Sequence, residues 1–450
     1  MASDKTQRLR GIDCRHSWHP FTQMQAWFEE NAPIIERGEG VWLWDTDGKK
    51  YLDGISSLWV TVHGHCRPEI NAAISAQLTK LEHSTMLGLS SVPATELAAK
   101  LVELVPDGLT RVFYSDSGST AVEIGLKMAY QFCRQNGRVK KGKFIHFKNS
   151  YHGDTIGSVS LGGIELFHML YGPLLFETIA VPYPYCYRCP WDRVPDSCDL
   201  YCANKLEETL ADNRDEVIAV VVEPLVQGAA GMLTAPPGHL RKIRQLCDKY
   251  GVFLVCDEVA TGWGRTGKLW ACENEGVSPD ILCTAKGLTG GYLPLAATIT
   301  TEEIFEGFLG SHEDKRTLFH GHTYTGNPLA CAAALANIEL FEKDKTLENA
   351  KARAKQLEEG LREIAHLPHV GDIRRKGLMT GIELVSDKET KEPYDYSART
   401  GHKVILEARK RGAILRPLGD VIVLMPPLAI SESEMSELLG ITKESIEAVT

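Results

Sequence analysis

The sequence predicts an α/β fold, with a large domain built on a mostly parallel central sheet and a smaller α+β domain beside it. Three observations carry that prediction. Short β-branched runs alternate with longer amphipathic stretches, the rhythm of repeated βα units. Both ends of the chain break this rhythm. The length of 450 residues, at about 150 per domain, allows two or three domains. Hydrophobic residues at 43% and charged residues at 24% supply a sizeable core and a solvated surface, which excludes disorder as the main state.

In order along the chain, strands are expected at residues 111–115, 143–147, 217–222, 252–256, 281–284 and 295–300, each an apolar run of strand length. A helix is expected over 120–134, where Ala121, Ile124, Met128 and Phe132 share one face. Another is expected over 239–250, after the breaker Pro236-Pro237-Gly238. Residues 1–60 are rich in aromatics (Trp18, Phe21, Trp27, Phe28, Trp42, Trp44) and contain Asp45-Thr46-Asp47-Gly48, a hairpin turn packed on something larger. Residues 61–344 form the large domain. From 345 to 450 the chain turns charged and helical, clearest over 351–364, with strand-like segments near 378–384 and 421–424. The smaller domain is read as this C-terminal part joined by the N-terminal segment.

Charge narrows the function. The 49 Lys+Arg against 59 Asp+Glu leave a net charge of −10, which repels phosphate backbones and anionic lipid, so neither nucleic acid nor membrane is expected as a partner. No apolar run approaches the roughly 20 residues of a bilayer span, and the N-terminus lacks a secretory apolar core, so the cytoplasm is the expected location. In that compartment the 12 cysteines read as thiols or metal ligands before disulfides.

Cys186, Cys189, Cys198 and Cys202 have the spacing CxxC, eight residues, CxxxC, which could hold tetrahedral zinc. Prolines 182, 184, 190 and 195 instead favour an irregular loop of free thiols, and no metal is expected. Gly262 to Lys268 fits GxGxxG and the start of a phosphate loop, but Leu269 stands where a hydroxyl is needed. A flexible glycine-rich turn beside an active site is the better reading. His63, His65, His320 and His322 flank glycine turns and read mainly as packing or hydrogen-bonding residues.

Two residues point to specific chemistry. Asp257, with Glu258, closes one apolar run, and Lys286 follows another, so both emerge at the carboxyl edge of a sheet, where open α/β folds bind ligands. Pyridoxal phosphate needs a lysine amine to bind its aldehyde carbon and a carboxylate to keep its ring nitrogen protonated. It also needs a phosphate cradle. Ser115-Asp116-Ser117-Gly118-Ser119, between a strand and the helix at 120, offers hydroxyls and backbone N–H groups, although an ordinary helix cap explains the serines as well.

The ordered set of Ser115 to Ser119, Tyr151-His152-Gly153-Asp154, Glu223-Pro224 with Gln227-Gly228, Asp257-Glu258 with Gly262 to Lys268, Lys286-Gly287 and His322-Thr323-Tyr324-Thr325-Gly326-Asn327-Pro328 resembles the class III aminotransferases. Trp18-His19-Pro20-Phe21-Thr22, Asp53 to Ser57, Val62-His63-Gly64-His65, Arg416 to Gly419 and Leu424 to Pro427 resemble the biotin-pathway branch of that family. The resemblance implies fold type I of the pyridoxal-phosphate enzymes and a homodimer with active sites at the subunit interface. It implies ping-pong amino transfer, through pyridoxamine phosphate, to 8-amino-7-oxononanoate.

By motif it makes Lys286 the covalent cofactor lysine, Asp257 the partner of the ring nitrogen, Tyr151 the stacking ring and His152 its neighbour. Gly118 and Ser119 would bind the phosphate, joined by Thr323 from the other subunit. Phe21 and Trp59 would line the substrate pocket, and Arg416 would meet a substrate carboxylate. Two departures bear on the donor: Phe21 stands where many members carry Tyr, and Leu58-Trp59 where they carry Trp-Trp. S-adenosylmethionine and L-lysine both stay open. So do another diamine or ω-amino acid as substrate, and a non-catalytic zinc- or nucleotide-binding protein on the same fold.

Overall fold

The structure, a computed structural model, describes residues 2–194 and 197–450. Its centre is a seven-stranded sheet in the spatial order Leu109–Ser115, Ala296–Thr301, Ile281–Thr284, Phe253–Asp257, Val217–Val222, Lys143–Phe147 and Ile179–Val181. Ala296–Thr301 runs antiparallel to both of its neighbours, while the remaining pairings are parallel. Every residue of Val217–Val222 is buried, as expected for a strand covered on both faces.

The strand expected at 252–256 instead runs from Phe253 to Asp257, so the acid is its last residue. Ile179–Val181 escaped sequence reading because three residues give too little periodicity to see. The helix Gly118–Gln135 buries Ala121, Ile124, Met128 and Phe132. A reciprocal cap between Ser117 and Thr120 fixes its start.

The chain ends meet. Trp42–Asp45 and Lys50–Asp53 form the hairpin around Asp45 to Gly48, with Asp45 Oδ1 accepting from the N–H groups of Asp47 and Lys49 at 3.0 and 2.9 Å. Ala413–Ile414 then pairs with Lys50–Asp53 in parallel. Val41, Leu52 and Val62 share one apolar cluster with Leu357, Ile422 and Leu438, so N-terminal and C-terminal residues build a single second core. Its sheet, Val370–Lys376, Met379–Leu384, Val421–Leu424 and Arg416–Leu418, is antiparallel throughout.

The segment Gly262 to Lys268 is not the flexible turn expected from its glycines. Trp263 and Arg265 are each 1% exposed. Trp263 donates to Thr284 Oγ1 at 2.8 Å, and Arg265 donates to Ser56 Oγ, Pro426 O and Thr61 O at 3.1, 2.8 and 2.8 Å. A buried guanidinium satisfied by fixed acceptors bolts the large sheet to both chain ends. The glycines serve the close packing: a Cβ on Gly287 would stand 2.6 Å from Trp263 Cβ. Among the described residues, no helix is long and apolar enough to cross a membrane.

Candidate active site

The carboxyl edge of the central sheet opens into a cavity of about 680 Å³ lined by Asp257, Lys286, Glu223, Tyr151, His152, Trp59 and the loop from Asp116 to Ser119, among others. Three neighbouring strand ends place the acids and the lysine. Asp257 ends its strand, Glu223 follows Val222 on the next, and Lys286 lies two residues beyond Thr284. Lys286 has φ of 44°, a left-handed conformation a non-glycine residue adopts only when its surroundings enforce it. Its Nζ lies 5.1 Å from the centre of the Trp59 ring. Burial lowers the Lys286 pKa, opposed by the charges of Asp257 and Glu223.

Asp257 is held from two sides. His152 Nδ1 is 2.7 Å from Oδ2, and the Val259 N–H donates to Oδ1 at 3.0 Å. Burial alone would lower the His152 pKa, but the hydrogen bond and charge of Asp257 outweigh it and raise it. Glu258, one residue on, faces away and is consumed by the N–H groups of Ala271 and Cys272 and the Thr261 hydroxyl. The paired-acid motif therefore contributes one acid to the cavity.

Glu223, which the sequence motif leaves without a role, also faces the cavity. Its oxygens accept from the N–H groups of Tyr151 and Gly228, each at 2.9 Å. Burial pushes its pKa up to about 7; Asp257 adds to the rise, while His152 and the two N–H donors oppose it. The available signal was its place at the end of a fully apolar strand next to the one ending in Asp257.

At the cavity floor, Gly118 and Ser119 open the 18-residue helix Gly118–Gln135, so their N–H groups have no acceptor inside the helix. Ser119 Oγ meets Thr155 Oγ1 at 2.7 Å. Tyr151 donates to Asp154 Oδ2 at 2.6 Å, and burial raises its pKa. Phe21 is 56% exposed and stands edge-on to Tyr151 with ring centres 6.5 Å apart. Arg416 is half-buried, its pKa lowered by burial with the Tyr151 phenol opposing, and it makes no ion pair among the described residues. Thr323 is exposed, and neither it nor Phe21 nor Arg416 lines this cavity, which takes only Trp59 and Tyr151 from the expected substrate-pocket residues outside the sheet edge.

Cys186, Cys189, Cys198 and Cys202 border one small void of about 20 Å³. Among the described residues, no group of three or more His, Cys, Asp or Glu is arranged to hold a metal ion. His63 is a packing residue, its Nε2 2.9 Å from Asn337 O and its pKa lowered to about 4 by burial. His65 pairs with Asp53 at 3.0 Å.

These features fit pyridoxal phosphate: a lysine and a buried carboxylate on one cavity, a helix N-terminus beside them, and, among the described residues, a His152 Nε2 left without a partner. The class III aminotransferase family model, described as Aminotransferase class-III, matches residues 25–446.

The chain belongs to the class III aminotransferases.

It is 58% identical over 451 residues to the adenosylmethionine-8-amino-7-oxononanoate aminotransferase of Nitratidesulfovibrio vulgaris, covering 100% of this chain and 83% of that protein. The crystal structure of the enzyme of the same name from Methanocaldococcus jannaschii superposes with a TM-score of 0.95 at 46% identity, covering 99% of this chain and 100% of that one. An amine transaminase from an uncultivated Pseudomonas species, in its PLP-bound form, gives 0.92 at 36% identity over 97% and 99% of the two chains. As a class III aminotransferase the chain is a pyridoxal-phosphate-dependent transaminase of fold type I. A non-catalytic zinc- or nucleotide-binding protein is thereby set aside.

Proposed function

We propose that this aminotransferase converts 8-amino-7-oxononanoate to 7,8-diaminononanoate in biotin biosynthesis, in the cytoplasm, as a homodimer, with S-adenosylmethionine as amino donor. The observation that carries the reading is Arg416. Its guanidinium is half-buried, makes no ion pair among the described residues, and is close enough to Tyr151 to feel the charge of its phenol. It suits a substrate whose reacting carbon is remote from an acid group, as in an amino-oxo-nonanoate, because a guanidinium binds a carboxylate through two parallel hydrogen bonds. The acceptor and donor are those in the names of the relatives from N. vulgaris and M. jannaschii. Phe21 brings no hydroxyl to the donor side, which makes L-lysine the second donor to test.

When bound, pyridoxal phosphate supplies an electron-withdrawing ring that takes up the charge released as the substrate C–H bond breaks. Asp257 would hold the ring nitrogen, with His152 fixing the carboxylate. Tyr151 would cover one ring face, and Gly118 and Ser119 would take the phosphate. Lys286 would bind the aldehyde carbon. Once freed, its amine, disposed by burial to shed its proton, carries the proton from the substrate carbon. Trp59, 6% exposed, shields Lys286 Nζ from water. For the homodimer, Leu87, Val92, Phe319 and Tyr324 are exposed apolar side chains, the last beside the exposed Thr323, which would reach the partner's phosphate.

The test is to follow the visible absorption of the lysine-bound cofactor while adding S-adenosylmethionine or L-lysine separately, then to assay diaminononanoate after adding 8-amino-7-oxononanoate. Bleaching by one donor and product formation are expected. Absence of product with either donor, alongside turnover of another diamine or ω-amino acid, overturns the substrate assignment.

A further inference from the structure

A chain of four polar side chains runs along the outside of the phosphate loop. Lys127 Nζ lies 2.9 Å from His320 Nδ1, His320 Nε2 lies 3.2 Å from His322 Nε2, and His322 Nδ1 lies 3.0 Å from Asp116 Oδ2, at ion-pair distance but off the line of a good hydrogen bond. The chemistry of the two ends orders the protons between them. An ammonium can only donate, so His320 Nδ1 accepts and its Nε2 carries the hydrogen; His322 Nε2 then accepts, and its Nδ1–H faces the carboxylate.

The chain joins two segments. Asp116 belongs to the loop that lines the cavity with Ser117, Gly118 and Ser119. His320 and His322 belong to a strap laid along the helix Gly118–Gln135, held further by Gln131 donating to Arg316 O and Thr317 O at 3.2 and 3.0 Å. A free Asp116 carboxylate beside a phosphate cradle would repel the anion that the cradle binds. Tied to His322, it instead anchors the loop.

We propose that Lys127, His320 and His322 are positioning residues that hold the Asp116 carboxylate, and through it the cofactor-phosphate loop, against the strap that carries Thr323. This rests on the reading of Gly118 and Ser119 as the phosphate cradle. The groups facing the histidine pair are Lys127 and Glu123 from the helix and Asp116 from the loop. Acid should break the chain, because a proton on His320 Nδ1 would point at the Lys127 ammonium. Burial, Lys127 and His322 already lower the His320 pKa against the pull of Glu123.

The experiment is to measure the dissociation constant for pyridoxal phosphate between pH 5 and 8 in wild type, His322→Gln, His322→Leu and Lys127→Met. His322→Leu should bind cofactor about tenfold more weakly at pH 7.5, having lost both the polar contact with the Asp116 carboxylate and the link to His320, with kcat at saturating cofactor within about twofold. His322→Gln can accept from His320 and donate to Asp116, so it should keep both the affinity and the acid-induced weakening, which comes from His320. Lys127 is exposed, so its variant should fold, and it should show intermediate weakening. Unchanged affinity in both His322→Leu and Lys127→Met overturns the positioning role. Ser119→Ala with unchanged affinity would instead overturn the cradle reading, so the two failures are distinguishable.

Discussion

The wall of the cavity and its mouth are built in opposite ways. Asp257, Glu223 and Lys286 stand on neighbouring strand ends of one sheet, the two acids buried and held by fixed hydrogen bonds. Phe21 comes from the N-terminal segment and Arg416 from the antiparallel C-terminal sheet; Phe21 is exposed, Arg416 is half-buried, and Arg416 makes no ion pair among the described residues. The contrast teaches that cofactor chemistry is anchored to the rigid sheet, whereas substrate recognition is assembled from parts distant in sequence. Substitutions of Lys286 or Asp257 should therefore cost most of the activity, while those at the mouth should tune preference.

The largest expected effect is that of Lys286→Ala, which should reduce turnover by roughly four orders of magnitude or more and abolish the visible band of the lysine-bound cofactor. Cofactor that stays covalently attached to the variant after borohydride reduction and dialysis would point to another lysine. Asp257→Asn should keep cofactor bound yet slow both half-reactions by about 10²–10³-fold; near wild-type stopped-flow rates would remove Asp257 from the wall. Next comes the bolt that joins wall and mouth. Arg265→Met leaves the carbonyls of Thr61 and Pro426 unsatisfied in the core and should cost about 2–4 kcal/mol in urea unfolding. A loss below about 0.5 kcal/mol would mean the two regions do not depend on that link.

At the mouth, Arg416→Met should raise KM for the oxo acid by about 10–100-fold, with a smaller change in the donor half-reaction. Equal effects on both halves would make Arg416 a common binding residue. The smallest effect concerns Glu223 and pH. Its folded pKa of about 7 exceeds the ordinary carboxylate value, so the folded apoenzyme holds a proton that the unfolded chain has lost. That contribution is fully present below about pH 4.5 and fades as pH rises through 7. Melting temperatures of Glu223→Gln should lie below wild type overall and depend less on pH across that window; an unchanged slope would reassign the titration.

Much of this was legible in the chain because the chemistry sits at strand ends. The apolar runs ending near Asp257 and Lys286 could be found by pattern, and the strand register then brought both residues to one cavity. Glu258 shows the limit: alternation along a strand sends adjacent side chains to opposite faces, and only the packed structure reveals that Ala271 and Cys272 take up the second acid. The glycines of Gly262 to Lys268 suggested freedom, but burial of Trp263 and Arg265 converted them into close-packing positions.

By itself, the sequence determined which local segments become strands and helices and which end in a reactive group, because hydrophobic periodicity and capping act over a few residues. Tertiary structure alone decided that Phe21 stands edge-on to Tyr151, that Glu223 is buried enough to titrate near neutrality, and that Lys127 reaches the phosphate loop through two histidines. Those outcomes depend on desolvation and on contacts between residues far apart in the chain, which no local pattern encodes.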